Sequence, residues 1–562
     1  MAYPLINLVK TTARWRRKAF IRKLGQVTTI QESFLRSLLQ VQQNTALGRD
    51  LNLPAIKTVD QFRSQVPRSV YSDYQPYFDR AAQGEMNVVT PEPIIFMNLS
   101  SGSTGNQKLV PITRRAQRKR AYANQIALGC VAEAAQRHNL SLGKMLITSS
   151  ANPIGQTSGG IAYGHVSSNQ LRATHPWVAQ AVYVHPLEAL FLKDTLTRIY
   201  ICLLFALRNS DLTILSGIFP VVLLQLCAYL EKYGEAFIDD LGRGEIPDWL
   251  ILDSEIREKL TRKLGPAPER AKQLAQILKS EGRLLPKDIW PKLAVLITAR
   301  GGPSNFYFEK FPEYFGDLPI FGGTYAASEA VLGSHRDFNT DGVLLAIESN
   351  FFEFIPVDQW DEANPITLLP HEVKLGELYR ILITNYSGFY RYDIGDVVEV
   401  VGFNQKTPII TFRYRQGGAL SAISEKTTES HAVQVMSALQ EKHHLTVEDF
   451  CISVSGDVIA PFYVLDLELS SPGTLEQPKQ LLADFDQLLQ SVNMSYALKR
   501  GKDDIASPQI NVLKAGSFAR LRQQKLDQGA LEASQAKLPH INRDRNFLKE
   551  AEIVQHIKVA SD

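Results

Sequence analysis

The stretch Asn98–Lys108, Asn-Leu-Ser-Ser-Gly-Ser-Thr-Gly-Asn-Gln-Lys, sets the tightest condition on how this chain folds. Its glycines let backbone N–H groups turn inward towards an anion, its hydroxyls donate further bonds, and Lys108 adds a mobile positive charge. The composition is that of a polyphosphate cradle. A P-loop would place the lysine directly after the second glycine, follow it with Ser or Thr and open a helix. Here Lys108 stands three places after Gly105 and leads into Leu109-Val110-Pro111, which reads as extended chain because a residue before proline avoids the α region. The loop is therefore expected to join two strands, with a plain Ser/Gly-rich hairpin as the alternative.

At 562 residues the chain exceeds what one hydrophobic core supports, so at least two domains are expected. A net charge of +3 gives no electrostatic footprint for nucleic acid, and no nucleic-acid partner is expected. Cys130, Cys202, Cys227 and Cys451 show no metal-ligand spacing and read as reduced core residues of a cytoplasmic protein. The uncharged run Leu212–Leu230 is almost long enough to span a bilayer, but Gly217 and Pro220 divide it into a strand and a helix opening at the proline. No membrane span is expected. The run Lys10–Lys23 holds seven basic residues and no acid. It reads as an amphipathic first helix whose apolar side is Leu8, Trp15, Phe20 and Ile21, with a transit peptide or a membrane-surface helix as the alternatives.

Residues 30 to 80 carry helical periodicity broken at Pro54 and Pro67. Thr113 is a candidate N-cap for a helix with Tyr122, Ile126, Cys130 and Ala134 on one face. The basic residues Arg114, Arg115, Arg118, Lys119 and Arg120 on its first turns read as a solvated face. From Met145 to about Asp317, strand-like runs alternate with helical stretches such as Asp253–Ser280, the pattern of a layered α/β domain. After Phe412 the pattern resets into a helix (Glu429–His443), a strand (Phe462–Leu469), a helix (Gln477–Val492), a strand (Gln509–Val512) and a polar tail, which predicts a small α+β domain.

Two further stretches carry chemistry. In Leu318–Glu329 a strand ends at Gly322-Gly323 and presents Tyr325, Ser328 and Glu329 in fixed order: an aromatic face for a base, a hydroxyl for a phosphate, and a carboxylate for Mg²⁺. A helix N-terminus following the turn would favour the same Ser and Glu. In Gly388–Val400, Asp396 follows a glycine and precedes a β-prone run, which places it at a turn where it can accept bonds from a vicinal diol such as ribose.

These three elements, in this order, resemble the nucleotide signatures of the adenylate-forming enzyme superfamily. The wording is closest to the plant auxin-responsive acyl-acid amido synthetases, the Gretchen Hagen three family. The likeness extends through Asp253–Ile256 with Arg257, Lys287–Pro291, Asn350–Pro356, Val373–Glu377, Asn493–Tyr496, Gly516–Phe518 and Ser534–Pro539. It implies a large N-terminal layered α/β domain of the adenylate-forming type (1–416), a hinge (417–428) and a smaller mobile α+β C-terminal domain (429–562). It also implies a ligase that uses ATP and Mg²⁺ to adenylate a carboxylic acid and then passes the acyl group to an amino acid amine. By position, the resemblance puts Ser100, Ser101, Ser103 and Thr104 on the phosphates, with Ser103 and Thr104 active in catalysis. Tyr325 falls near adenine, Ser328 on the α-phosphate, Glu329 on Mg²⁺ and Asp396 on the ribose. Lys537 becomes the catalytic cation that the C-terminal domain delivers. Where many relatives carry arginine this chain has Asp393, which would leave an acidic pair with Asp396. A relative with a thiol acceptor, of the acyl-CoA synthetase type, and a non-catalytic nucleotide-binding protein are the alternatives. A monomer is expected.

Overall fold

The computed structural model describes residues 2–100, 108–360, 362, 364–415, 420, 422, 425, 427–455, 457, 461–471, 475–501, 505–527, 537–544 and 546–559, with backbone alone at 2–5, 100, 303, 306 and 498. Two compact units result. The larger comprises Met1–Arg300, Tyr307–Ile394 and Val398–Phe412; the smaller comprises Gly301–Phe306, Gly395–Val397 and Arg413–Asp562.

In the large unit the basic N-terminal run folds as the helix Ala2–Lys23, which packs along the helix Arg114–Arg137. The buried positions on it are Ile6, Ala13 and Phe20, a seven-residue repeat that keeps one seam against the neighbour. Leu8 and Trp15 are 59% and 70% exposed, so only half of the expected apolar side faces the core. Gly129 sits where Ala13 of the facing helix comes closest, and a side chain there would strike that backbone. Thr113 caps Arg114–Arg137 as expected, its hydroxyl accepting from Ala116 N at 3.2 Å, and Ile126, Cys130 and Ala134 are buried beneath it.

A four-stranded parallel sheet runs Lys144–Leu146, Leu212–Ser216, Val295–Ile297, Ile320–Phe321 in chain order. Leu212–Ser216 is followed by the helix Pro220–Lys232, with proline in its first turn where its missing N–H costs nothing. Among the described residues no helix is long and apolar enough to cross a membrane. The stretch from Asp253 to Ser280 divides into helices Ser254–Leu264 and Pro268–Glu281, because Gly265 takes φ 57° and Pro266 cannot continue the first. A seven-stranded sheet follows the order Phe351–Pro356, Leu378–Thr384, Tyr392–Asn404, Thr407–Arg415, Val343–Leu345, Val331–His335, Thr324–Ala326.

The small unit holds a four-stranded sheet in the order Val447–Val454, Tyr463–Leu469, Gln509–Leu513, Ile553–Ile557, with the central pair parallel. Helices Glu429–His443 and Pro478–Val492 match the expected ones within a residue. The stretch read as a polar tail instead contributes the helix Ser517–Asp527 and the edge strand Ile553–Ile557. All four cysteines are free and buried, and burial pushes the Cys130 and Cys202 thiols up to about 11 and about 12.

Candidate active site

The strand Ile94–Ser100 pairs antiparallel with Lys108–Thr113, and Ser100 faces Lys108 across the ladder. The Ser/Gly run therefore stands between two paired strands, as its proline-containing exit predicts. Ser101, Ser103 and Thr104 lie outside the described residues, and Ser100 is described by its backbone alone. The Lys108 ammonium lies 5.2 Å from the ring centre of Tyr71, whose hydroxyl donates to Leu109 O at 3.0 Å. Burial pushes the Tyr71 phenol up to about 12, which keeps it neutral beside the lysine.

Ile320–Phe321 is the last strand of the parallel sheet, and the chain turns out of it through Gly322 and Gly323. Gly322 lies directly against the His335 ring, leaving no room for a Cβ, and Gly323 takes φ 65°. No helix follows. Thr324–Ala326 pairs antiparallel with Val331–His335, and Ala327-Ser328-Glu329-Ala330 makes the tight connection, with Ala327 N bonded to Ala330 O at 2.7 Å. This turn is fastened to the strand that enters the Ser/Gly loop. Ser328 Oγ donates to Leu99 O at 3.1 Å, and Asn98 Nδ2 donates to Ser328 O at 3.1 Å. Tyr325 lies beside Phe412 with ring centres 5.7 Å apart.

Arg114 and Arg118 are exposed, as a solvated face requires, but Arg120 is not part of that face. Its side chain is buried, its guanidinium donates to the carbonyls of Ala327 and Ser328, and burial lowers its pKa to about 10, opposed by the charge of Glu329. Lys119 likewise turns inward, donating to Glu348 O at 2.8 Å, and Arg115 pairs with Glu92 at 2.7 Å.

The Glu329 side chain meets the third motif. Tyr392, buried at the start of Tyr392–Asn404, donates from Oη to Glu329 Oε1 at 3.2 Å. The residue before it, Arg391, has φ 45°, a left-handed conformation that an arginine adopts only under compulsion. Arg391 Nε lies 3.1 Å from both oxygens of Glu353, and Nη1 donates to Arg63 O at 2.6 Å and Val66 O at 2.8 Å. Both ionic side chains are almost wholly buried.

Asp393 is met by cations from other elements. It lies 3.0 Å from Arg380 Nε and 3.7 Å from Arg68 Nη1, so two guanidinium groups neutralise it. Asp396 sits within a strand and not at a turn; Gly395, at φ 79°, supplies the local kink. In the small unit Asp396 is buried and accepts from Arg415 Nε at 2.8 Å.

Lys537 also has a partner in the small unit. Its Nζ lies 3.3 Å from Oε1 of Glu429, the first residue of Glu429–His443. The same oxygen accepts from His540 N at 3.1 Å. Burial works against charge on Glu429, yet Lys537 and His540 hold its carboxyl well below the usual range. Glu429, His540, Arg120, Glu353 and Arg391 were not singled out as site residues in the sequence. Arg120, Glu353, Arg391 and Glu429 lay in stretches that the sequence marked out, but none carried a sign of its contacts.

Among the described residues no three His, Cys, Asp or Glu side chains stand together as a metal cage. Glu329 is a single buried carboxylate with one oxygen held by Tyr392. One carboxylate suits Mg²⁺, which keeps several waters and takes most of its remaining ligands from substrate phosphates.

The fold has a solved counterpart in the GH3.15 acyl acid amido synthetase, with a TM-score of 0.85, 25% identity and 96% of each chain covered, so its class is that of the adenylate-forming enzymes. Jasmonoyl--L-amino acid synthetase JAR4 of Nicotiana attenuata is 27% identical, covering 91% of this chain and 90% of its own length. Indole-3-acetic acid-amido synthetase GH3.8 of Oryza sativa subsp. indica is 27% identical, covering 92% and 89%. The sequence profiles of the GH3 family N-terminal, central and C-terminal domains match residues 16–320, 343–415 and 430–546, and the chain belongs to the GH3 family.

Proposed function

We propose that the protein is an ATP-dependent acyl-acid amido synthetase. In the first half-reaction a carboxylate oxygen of the acid attacks the α-phosphorus of ATP, the bond from that phosphorus to the bridging oxygen breaks, and pyrophosphate leaves. In the second, an amino acid nitrogen attacks the acyl carbon, the bond to AMP breaks, and the amine gives up a proton. The observation that carries this reading is the anchorage of the Ser328-Glu329 turn. It is tied by Ser328 and Asn98 to the strand that enters the Ser/Gly loop, and by Tyr392 to the strand that carries Asp396.

This anchorage and family membership support the following roles. Ser100, Ser101, Ser103 and Thr104 would donate to the phosphates, and Tyr325 would pack near the adenine. Ser328 would turn its hydroxyl from Leu99 O to the α-phosphate, and Asp396 would bind the ribose. Glu329 would hold Mg²⁺, which when bound neutralises phosphate charge as the anions meet. Arg120 fixes the backbone under Ser328 and supplies positive charge beside Glu329. Residues 1–416 would form the adenylating domain and 417–428 the hinge on which 429–562 moves. Lys537 would arrive with that movement and stabilise charge between the carboxylate and the α-phosphate. Rotation of the small domain would then admit the amine while keeping water from the mixed anhydride.

A pyrophosphate-exchange screen across aromatic, indole, benzoic and fatty acids tests the first half-reaction, and mass spectrometry of products with amino acids or coenzyme A tests the second. Exchange with some acid and an amide product are expected. Absence of exchange across the panel would remove the adenylating role, and a thioester product would replace amine with thiol. Lys537→Ala should abolish exchange while still converting a chemically prepared acyl-adenylate to the amide. Equal loss of both steps would refute its specific role in adenylation.

A further inference from the structure

The partner of Lys537 is itself shared. Glu429 Oε1 faces the lysine at 3.3 Å and the imidazole Nδ1 of His540 at 3.4 Å. The other imidazole nitrogen lies 3.5 Å from Asp449 Oδ1, and Asp449 Oδ2 lies 3.2 Å from Arg522 Nη2. His540 is wholly buried, its ring parallel to Phe450 with centres 4.5 Å apart, whereas the Lys537 side chain is 21% exposed. The groups form a row: Lys537, Glu429, His540, Asp449, Arg522. Carboxylates alternate with cations along it, and the buried thiol of Cys451 on the Val447–Val454 strand lies close to both acids. Of these side chains the imidazole is the one built to exchange a proton near neutral pH.

We propose that Glu429 is a positioning residue for Lys537, a latch on its ammonium whose strength depends on whether His540 carries a proton. This rests on the role given to Lys537 above. With His540 protonated, Glu429 divides its charge between two cations, and the lysine leaves at lower cost. With His540 neutral, Lys537 is the main cation facing Glu429 and is held more tightly. Burial opposes a proton on His540, but Asp449 and Glu429 outweigh it and raise the imidazole above its ordinary value. The latch therefore tightens as pH climbs through the alkaline side of the usual histidine range. Adenylation, which needs the lysine released, slows there relative to aminolysis.

The test reads Lys537 directly and needs no acyl substrate. Full-length protein is trace-labelled with acetic anhydride at a series of pH values, and acetylation of Lys537 is expressed relative to the other lysines by peptide mass spectrometry. In the wild type the relative labelling of Lys537 should fall as pH rises through the titration of His540. In Glu429→Gln it should be severalfold higher and lose that step, and in His540→Asn the step should be absent. A wild-type ratio that is flat or rises with pH, or labelling of Glu429→Gln equal to wild type, overturns the latch. Should Glu429→Gln not fold, Asp449→Asn carries the same burden: removing one acid from the imidazole should move the step to lower pH, and an unmoved step refutes the coupling. Pyrophosphate exchange by Lys537→Ala separates the two levels of inference. Intact exchange in that variant removes the lysine from adenylation and leaves the labelling pattern standing, whereas unchanged labelling removes the latch and leaves the lysine in place.

Discussion

The two units use the same pairing of carboxylate and cation in opposite ways. In the large unit Glu353 and Arg391 are both almost wholly buried, and the guanidinium also donates to two backbone carbonyls. The fork is planar and five-donored, so its geometry is fixed once met. In the small unit Glu429 holds Lys537, a flexible stem with a point charge, at 3.3 Å and with about a fifth of each side chain exposed. The first pair is a pin. It holds Arg391 in a left-handed conformation and so sets where Tyr392 starts its strand and meets Glu329. The second can exchange partners, because both its cations compete for one oxygen. A static turn and a lysine proposed to travel call for these two designs.

The largest expected effect tests that contrast. Glu353→Gln leaves the Arg391 charge buried without its counter-ion and should destabilise the large unit by about 3–5 kcal/mol. Glu429→Gln, at a partly exposed pair, should cost the small unit about 1 kcal/mol. All five tryptophans fall in the large unit, so urea unfolding followed by their fluorescence reads the first variant. Hydrogen exchange over Glu429–His443 and Val447–Val454 reads the second. Equal costs would erase the distinction between pin and latch.

A smaller effect sharpens the link from pin to site. Tyr392→Phe removes the hydroxyl that donates to Glu329 and leaves the ring against Phe389, 4.3 Å away between centres. Losing one buried hydrogen bond to a charged acceptor should cost about 1.5–3 kcal/mol. Pyrophosphate exchange should require more Mg²⁺ for its half-maximal rate. An unchanged Mg²⁺ dependence would separate Tyr392 from the function proposed for Glu329.

The parts legible in the sequence were those set by local chemistry. Pro111 after Lys108 specified a strand, Thr113 a cap, and Pro220 the start of a helix, because each acts on its own backbone. What escaped was set by contacts between distant stretches. Arg120 looks like any surface arginine until the Ala327 and Ser328 carbonyls are placed over it. Nothing near Asp393 in the sequence showed that Arg68 and Arg380 come from other elements to meet it. Val447–Val454 was passed over because Glu448 and Asp449 interrupt its apolar pattern, and Asp449 is buried only because Arg522 and His540 lie against it. The order of the residues proposed to handle the nucleotide is plain in the chain; the side chains that hold the Ser328-Glu329 turn in place are not.

The smallest expected effect is confined to the small unit and concerns stability against pH. Asp449 and Glu429 raise His540 in the folded protein above the value near 6.5 of an unfolded chain. The stability this contributes is fully present below the unfolded value and is lost as pH rises through the folded one, because only the folded state retains the proton in that window. Hydrogen exchange at Glu429–His443 should therefore imply an opening free energy that declines between those two values, after correction for the intrinsic pH dependence of exchange. His540→Asn should abolish the decline while leaving the tryptophan-monitored stability of the large unit unchanged. A decline of the same size in His540→Asn would assign it to another group and detach the imidazole from the row. A rise with pH in the wild type would mean that the neutral ring is the better fit between the two acids, reversing the sense in which the latch on Lys537 is set.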